Sequence, residues 1–130
     1  MKNPQSIRTG AIHILPQCPP LHGQELKNRP VVVIAVEPDK LDVLLVAVST
    51  TVLSSVTDRI QLPDRSTQPQ TTSGLKEPSW AVPEWYLRVQ VQSLDKKIGY
   101  ISGVNLRKIA KAVQVHIAAG KRPVERREQS

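Results

Sequence analysis

Arg29 stands directly before Pro30 and the apolar run Val31-Val32-Val33-Ile34-Ala35-Val36, and Ser49-Thr50-Thr51 closes a second apolar run, Leu41 to Val48. Runs of this length, rich in Val and Ile and separated by Glu37-Pro38-Asp39, predict two buried strands joined as an antiparallel hairpin. That pairing carries Arg29 toward the three hydroxyl residues. A fixed guanidinium beside hydroxyls at the rim of a small sheet can hold a phosphate, because its rigid fork of N–H donors matches phosphate oxygens. The competing reading is a solvated charge next to an ordinary Ser/Thr turn. Upstream, the loop from Gln17 to Asn28 contains Pro19, Pro20 and Gly23 and offers His22, Gln24, Glu25 and Lys27 to a ligand.

The elements that must position these groups follow from periodicity. Gly10 to Leu15 reads as a first strand ended by Pro16, and Arg59-Ile60-Gln61-Leu62 as a short one. In Trp85 to Gln92, Leu87, Val89 and Val91 alternate with Arg88, Gln90 and Gln92, the pattern of a strand with one buried face. Lys97 to Ile101 adds a last strand. Ser102 then caps a helix whose apolar stripe is Leu106, Ile109, Ala110, Val113 and Ile117, stopped by Gly120 and Pro123. Arg107, Lys108 and Lys111 lie off that stripe. The predicted organisation is a flexible N-terminus over 1–9 and one domain over 10–120. Within it, the proline-rich polar segment 64–79 is expected to be a mobile loop too polar to pack, and a charged disordered tail follows over 121–130. Mainly antiparallel β with one C-terminal α-helix, as a strongly curved sheet or half-barrel, is the economical architecture.

Composition narrows the function. The 130 residues carry a formal charge of +7, and only Trp80, Trp85, Tyr86 and Tyr100 are aromatic. The basic residues concentrate before residue 31 and after residue 64, which fits a polyanion or an acidic protein as partner. So few rings argue against modules that stack rows of bases, and the prolines around Trp80, Trp85 and Tyr86 favour core or dimer packing for them. Cys18 is the single cysteine, so an internal disulfide is excluded and a reducing, cytoplasmic setting is expected, without a membrane span. His13, Cys18 and His22 are too dispersed for a metal site, and no metal or other cofactor is expected.

Three stretches together resemble the MazF/PemK family of toxin endoribonucleases from type II toxin–antitoxin systems. They are Gly23-Gln24-Glu25-Leu26-Lys27-Asn28-Arg29-Pro30 with its valine-rich strand, Leu45 to Thr51, and Lys97-Ile98-Gly99-Tyr100-Ile101-Ser102 leading into Leu106-Arg107-Lys108-Ile109. The resemblance covers most of residues 10–118. It implies a small SH3-like barrel, a cytoplasmic homodimer, and metal-independent cleavage of single-stranded RNA at short motifs, leaving 2′,3′-cyclic phosphate and 5′-hydroxyl ends. It also implies inhibition by a small acidic antitoxin, in a complex that binds DNA.

By the same resemblance, Arg29 steadies the phosphorane, Ser49 or Thr50 orients the phosphate, and Glu25 or His22 takes the 2′-proton. His22, Gln24, Lys27, Thr51, Arg65 and Lys76 are then RNA contacts. The sequence departs from the family in lacking a proline two residues before the catalytic threonine. Ser49 takes that threonine's column without a gap and Thr50 with a shift of one. Two alternatives stand on the same fold: a non-enzymatic inhibitor resembling the CcdB gyrase poisons, which acts through its C-terminal helix, and a degenerate binding module.

Overall fold

A computed structural model describes residues 7–21, 25–37, 41–51 and 58–125. The strands are β1 (Ala11–Cys18), β2 (Lys27–Glu37), β3 (Asp42–Ser49), β4 (Ile60–Leu62), β5 (Ser79–Gln90) and β6 (Lys97–Tyr100), followed by helix α1 (Gly103–Ala118). One antiparallel sheet takes them in the order β4-β5-β3-β2-β1-β6 and curls into a half-barrel.

The uninterrupted apolar run of β2 exists because both faces of the strand are covered. Val31 and Val33 pack with Leu45, Ala47, Trp85 and Leu87 in one cluster, while Val32 packs with Val46, Val48 and Tyr86 in the other. Helix α1 closes the second cluster with Ile109 and Val113. Each such side chain withdrawn from water contributes about 1.5–3 kcal/mol, so these two layers are the main stabilising term. Ser102 caps the helix as its sequence position predicts, its side chain accepting the Asn105 N–H at 3.2 Å. The expected stripe is only partly buried: Leu106 and Ala110 are half-buried and Ile117 is exposed.

Three boundaries differ from the sequence expectation. Strand β1 passes through Pro16 to Cys18, since the register shifts between Leu15 and Cys18 and Gln17 takes φ 50°, so the missing proline N–H falls in a bulge. Strand β5 begins six residues before Trp85, at Ser79, and Pro83 is accommodated where its register against β3 shifts between Val46 and Val48. It ends at Gln90, where Val91–Ser93 turns into a short 3₁₀ helix.

Segment 64–79, expected as too polar to pack, is packed. Asp64, Ser73, Leu75 and Ser79 are buried, and the Ser73 hydroxyl donates to the Pro63 carbonyl at 2.7 Å. Its buried polar groups are satisfied internally, while residues 65–70 stay exposed. The Asp64 carboxylate accepts from the hydroxyls of Ser66 and Thr67 and from the Ser66 N–H. Gly74 and Gly99 let two backbones touch here, since a Cβ on Gly74 would lie 2.0 Å from the Ile98 carbonyl oxygen and one on Gly99 2.3 Å from the Ser73 backbone.

The two ends also depart from expectation among the described residues. Ile7 is buried in the core. Residues 121–125 lie against β5: the Val124 N–H donates to the Tyr86 carbonyl at 2.8 Å, the Tyr86 hydroxyl donates to the Lys121 carbonyl, and Lys121 pairs with Glu84 at 3.0 Å.

Candidate functional site

The β2–β3 register pairs Val31 with Ala47, and its continuation by two residues sets Arg29 opposite Ser49 at the rim of the sheet. A cleft of about 370 Å³ opens at this rim. Its walls include Lys27 and Arg29 from β2, Thr50 just past β3, Lys76 and Glu77 from the segment before β5, and Lys96 just before β6. Among the described lining residues, four cations face one carboxylate, over an apolar floor that includes Ile14, Val48 and Ile98. Such a surface concentrates anions, and its low-dielectric floor strengthens each contact.

Arg29 is held from below. It is only 7% exposed, and its guanidinium carbon lies 4.9 Å from the ring centroid of the buried Trp85. Trp85 is itself fixed by an Nε1–H bond to the Pro19 carbonyl at 2.9 Å. A guanidinium stacked on an indole face is oriented as well as attracted. Arg29 Nη2 donates to the Glu25 carbonyl at 3.5 Å, the long end of the range, and its buried Nε has no hydrogen-bond partner among the described residues. Burial draws its pKa below the ordinary arginine value, with the neighbouring Cys18 acting in the opposite direction. An oriented cation with unused donors, partly stripped of water, is equipped to take a phosphate oxygen.

The two candidate hydroxyls have different surroundings. Ser49 is buried and spends its hydroxyl on its own turn, donating to the Thr51 carbonyl at 3.0 Å and accepting the Thr51 N–H at 3.1 Å. Thr50 is exposed and lines the cleft with Arg29.

Of the other residues singled out in the sequence, Lys27 and Lys76 line the cleft, whereas Glu25, Thr51 and Arg65 do not. Glu25 is exposed and contributes its carbonyl to Arg29. Thr51 is engaged through its backbone in the Ser49 turn, and Arg65 through its N–H to the Leu75 carbonyl at 2.9 Å. His22 and Gln24 lie outside the described residues. Lys96, Glu77, Asn28 and Ser79 are cleft residues that the sequence did not reveal. Lys96 arrives because its carbonyl accepts the Ile14 N–H at 3.0 Å, docking the chain before β6 onto β1. No local pattern encodes that contact.

Comparison with known proteins bears on the fold and the family. The family model described as "PemK-like, MazF-like toxin of type II toxin-antitoxin system" matches residues 8–117. Among solved structures, the chain is similar to the Mycobacterium tuberculosis toxin MazF-mt6, at 23% identity and TM-score 0.56, over 83% of this chain and 96% of that one. It is also similar to an endoribonuclease in complex with its cognate antitoxin from a mycobacterial species, at 12% identity and TM-score 0.60, over 87% and 96% of the two chains. An endoribonuclease from a mycobacterial species matches at 13% identity and TM-score 0.58, over 87% and 92%. No curated protein sequence matches the chain. These structural likenesses carry the fold, and the family match spans nearly all of the half-barrel and helix. The chain belongs to the PemK-like, MazF-like toxins of type II toxin–antitoxin systems.

Proposed function

We propose that this toxin is an endoribonuclease that cuts single-stranded RNA without a metal ion, leaving 2′,3′-cyclic phosphate and 5′-hydroxyl ends. The observation that carries the reading is the shared cleft of Arg29 and Thr50, flanked by Lys27, Lys76 and Lys96. In this reaction the 2′-oxygen attacks the adjacent phosphorus, the bond from phosphorus to the 5′-oxygen breaks, and the 2′-proton leaves as the departing oxygen gains one. Arg29 faces the charge that grows on the phosphorane oxygens, and Thr50 orients the phosphate. Glu77, the carboxylate that lines the cleft, is the proton acceptor in this scheme, in place of Glu25. The lysines hold the flanking phosphates.

The partners follow from charge and from the relatives. A chain of +7 with Arg107, Lys108 and Lys111 exposed on α1 suits a small acidic antitoxin, and one structural relative is described with its cognate antitoxin. A homodimer belongs to the same proposal. Val104, Val115 and Ile117, exposed on α1, offer apolar surface for either association. None of the helices among the described residues is long and apolar enough to cross a membrane.

The test is incubation of the purified protein with mixed-sequence single-stranded RNA in EDTA, with mapping of the cut ends beside an Arg29→Ala control. Discrete fragments ending in cyclic phosphate are expected, with the rate reduced about 10²–10³-fold in the variant, the scale of losing one transition-state donor. Equal cleavage by both proteins, or none by the wild type, overturns the reading and turns attention to gyrase inhibition or simple binding.

A further inference from the structure

A second cleft, of about 660 Å³, has the opposite chemistry to the first. None of its lining residues, among those described, is charged, although the chain carries 22% charged residues. Its polar wall includes the side-chain amides of Gln61, Gln68, Gln70 and Asn105, none of which hydrogen-bonds a described residue. Tyr100, 52% exposed, forms its aromatic wall, with the Lys97 ammonium 5.7 Å from the ring centroid. Carboxamides present a donor and an acceptor side by side, the pattern that pairs with the edge of a nucleobase, and an exposed ring offers it a stacking face. Phosphate contacts position a nucleic acid and base contacts specify its sequence, so a basic cleft adjoining a neutral amide-and-aromatic cleft divides those tasks.

The two clefts are neighbours by construction. Ile98 lines the first and Tyr100, two residues further along β6, lines the second. Gly74 lines the first and Thr72 the second, with the Thr72 carbonyl accepting the Tyr100 N–H at 2.9 Å. Two residues of chain span at most about 7 Å. The wall between the clefts is the close backbone contact that Gly74 and Gly99 permit.

We propose that the amide-and-tyrosine cleft is a base-recognition subsite, receiving the unpaired base of a nucleotide near the one whose phosphate lies beside Arg29. The assignment rests on the endoribonuclease reading for the direction of the strand, and deepens it by naming where sequence is read.

The experiment measures binding of short, fluorescently labelled 2′-O-methyl oligonucleotides, which cannot be cut, to the full-length protein. Each position is replaced in turn by an abasic residue, and wild type is compared with Tyr100→Ala and with a Gln68→Ala/Asn105→Ala double variant. Loss of one specific base is expected to weaken wild-type binding about tenfold, the size of a base–aromatic stack, and to make little difference once Tyr100 is absent. The amide variant is expected to bind with altered base preference at that same position. An abasic penalty that persists undiminished in both variants, or no position-specific penalty in wild type, overturns the subsite. Circular dichroism controls the fold of each variant, all three side chains being on the surface. If RNA cleavage fails while the coupling persists, the enzyme reading falls and the subsite stands; if cleavage occurs without coupling, the subsite falls alone.

Discussion

Arg29 and Thr50 illustrate how much a single side chain depends on what lies beneath it. Trp85 makes a flat support for the guanidinium, and the turn after β3 consumes the Ser49 hydroxyl while leaving that of Thr50 to the cleft. Thr50→Val therefore removes a phosphate-facing hydroxyl and is expected to lower cleavage at least tenfold, as losing a hydrogen bond to a charged group does, with an unchanged melting temperature. Ser49→Ala is expected to do the reverse. It leaves the rate nearly unaltered and destabilises the fold by about 1 kcal/mol, read by chemical denaturation. A rate loss confined to Ser49→Ala reverses the assignment of the two hydroxyls.

At the scale of elements, segment 64–79 depends on one carboxylate. The hydroxyl of Ser66 holds the Asp64 pKa below the ordinary carboxylate range, burial opposes it, and Thr67 and the Ser66 N–H add to the lowering. A carboxyl group more acidic in the folded than in the unfolded state stabilises the fold fully above its unfolded pKa, near 3.9. That contribution fades as pH falls below this value and is lost once the folded group is protonated. Ser66→Ala raises the folded pKa and is expected to lower stability at neutral pH, read by chemical denaturation, with the difference from wild type shrinking to nothing as pH falls through the folded pKa.

Most of the elements were legible in the sequence because each rests on a local cause: the β2–β3 hairpin on two apolar runs and a turn, β6 and α1 on Ser102 and its stripe. Pairing Arg29 with the Ser49–Thr50 corner needed only that hairpin. Lys96 and Glu77 were illegible because contacts among β1, β6 and segment 64–79 bring them to the cleft, and nothing in their neighbourhood announces such pairing. The packing of segment 64–79 was missed for a related reason. Asp64, Ser66, Thr67 and Ser73 find partners within or beside the segment, and composition alone cannot distinguish such local satisfaction from solvation.

For the molecule as a whole, the feature with the widest reach is the return of the chain after α1. Strand β5 pairs with β3 along one side, but β4 covers its other side only from Ser79 to Ala81. Beyond that point, Val124, bridged to Leu87, is its outer partner among the described residues. Residues 121–124 thus act as a guard on an otherwise open row of backbone donors and acceptors, the kind of edge onto which another sheet can add. A chain ending at Gly120 keeps both core layers except for Val124, so it is expected to fold with a lower melting temperature and to associate through the bared edge. Light scattering across a concentration series reads this directly: growth of large species in the shortened protein alone assigns solubility to these few residues, and identical profiles deny it. The closing residues would then govern how long the free toxin survives between synthesis and use.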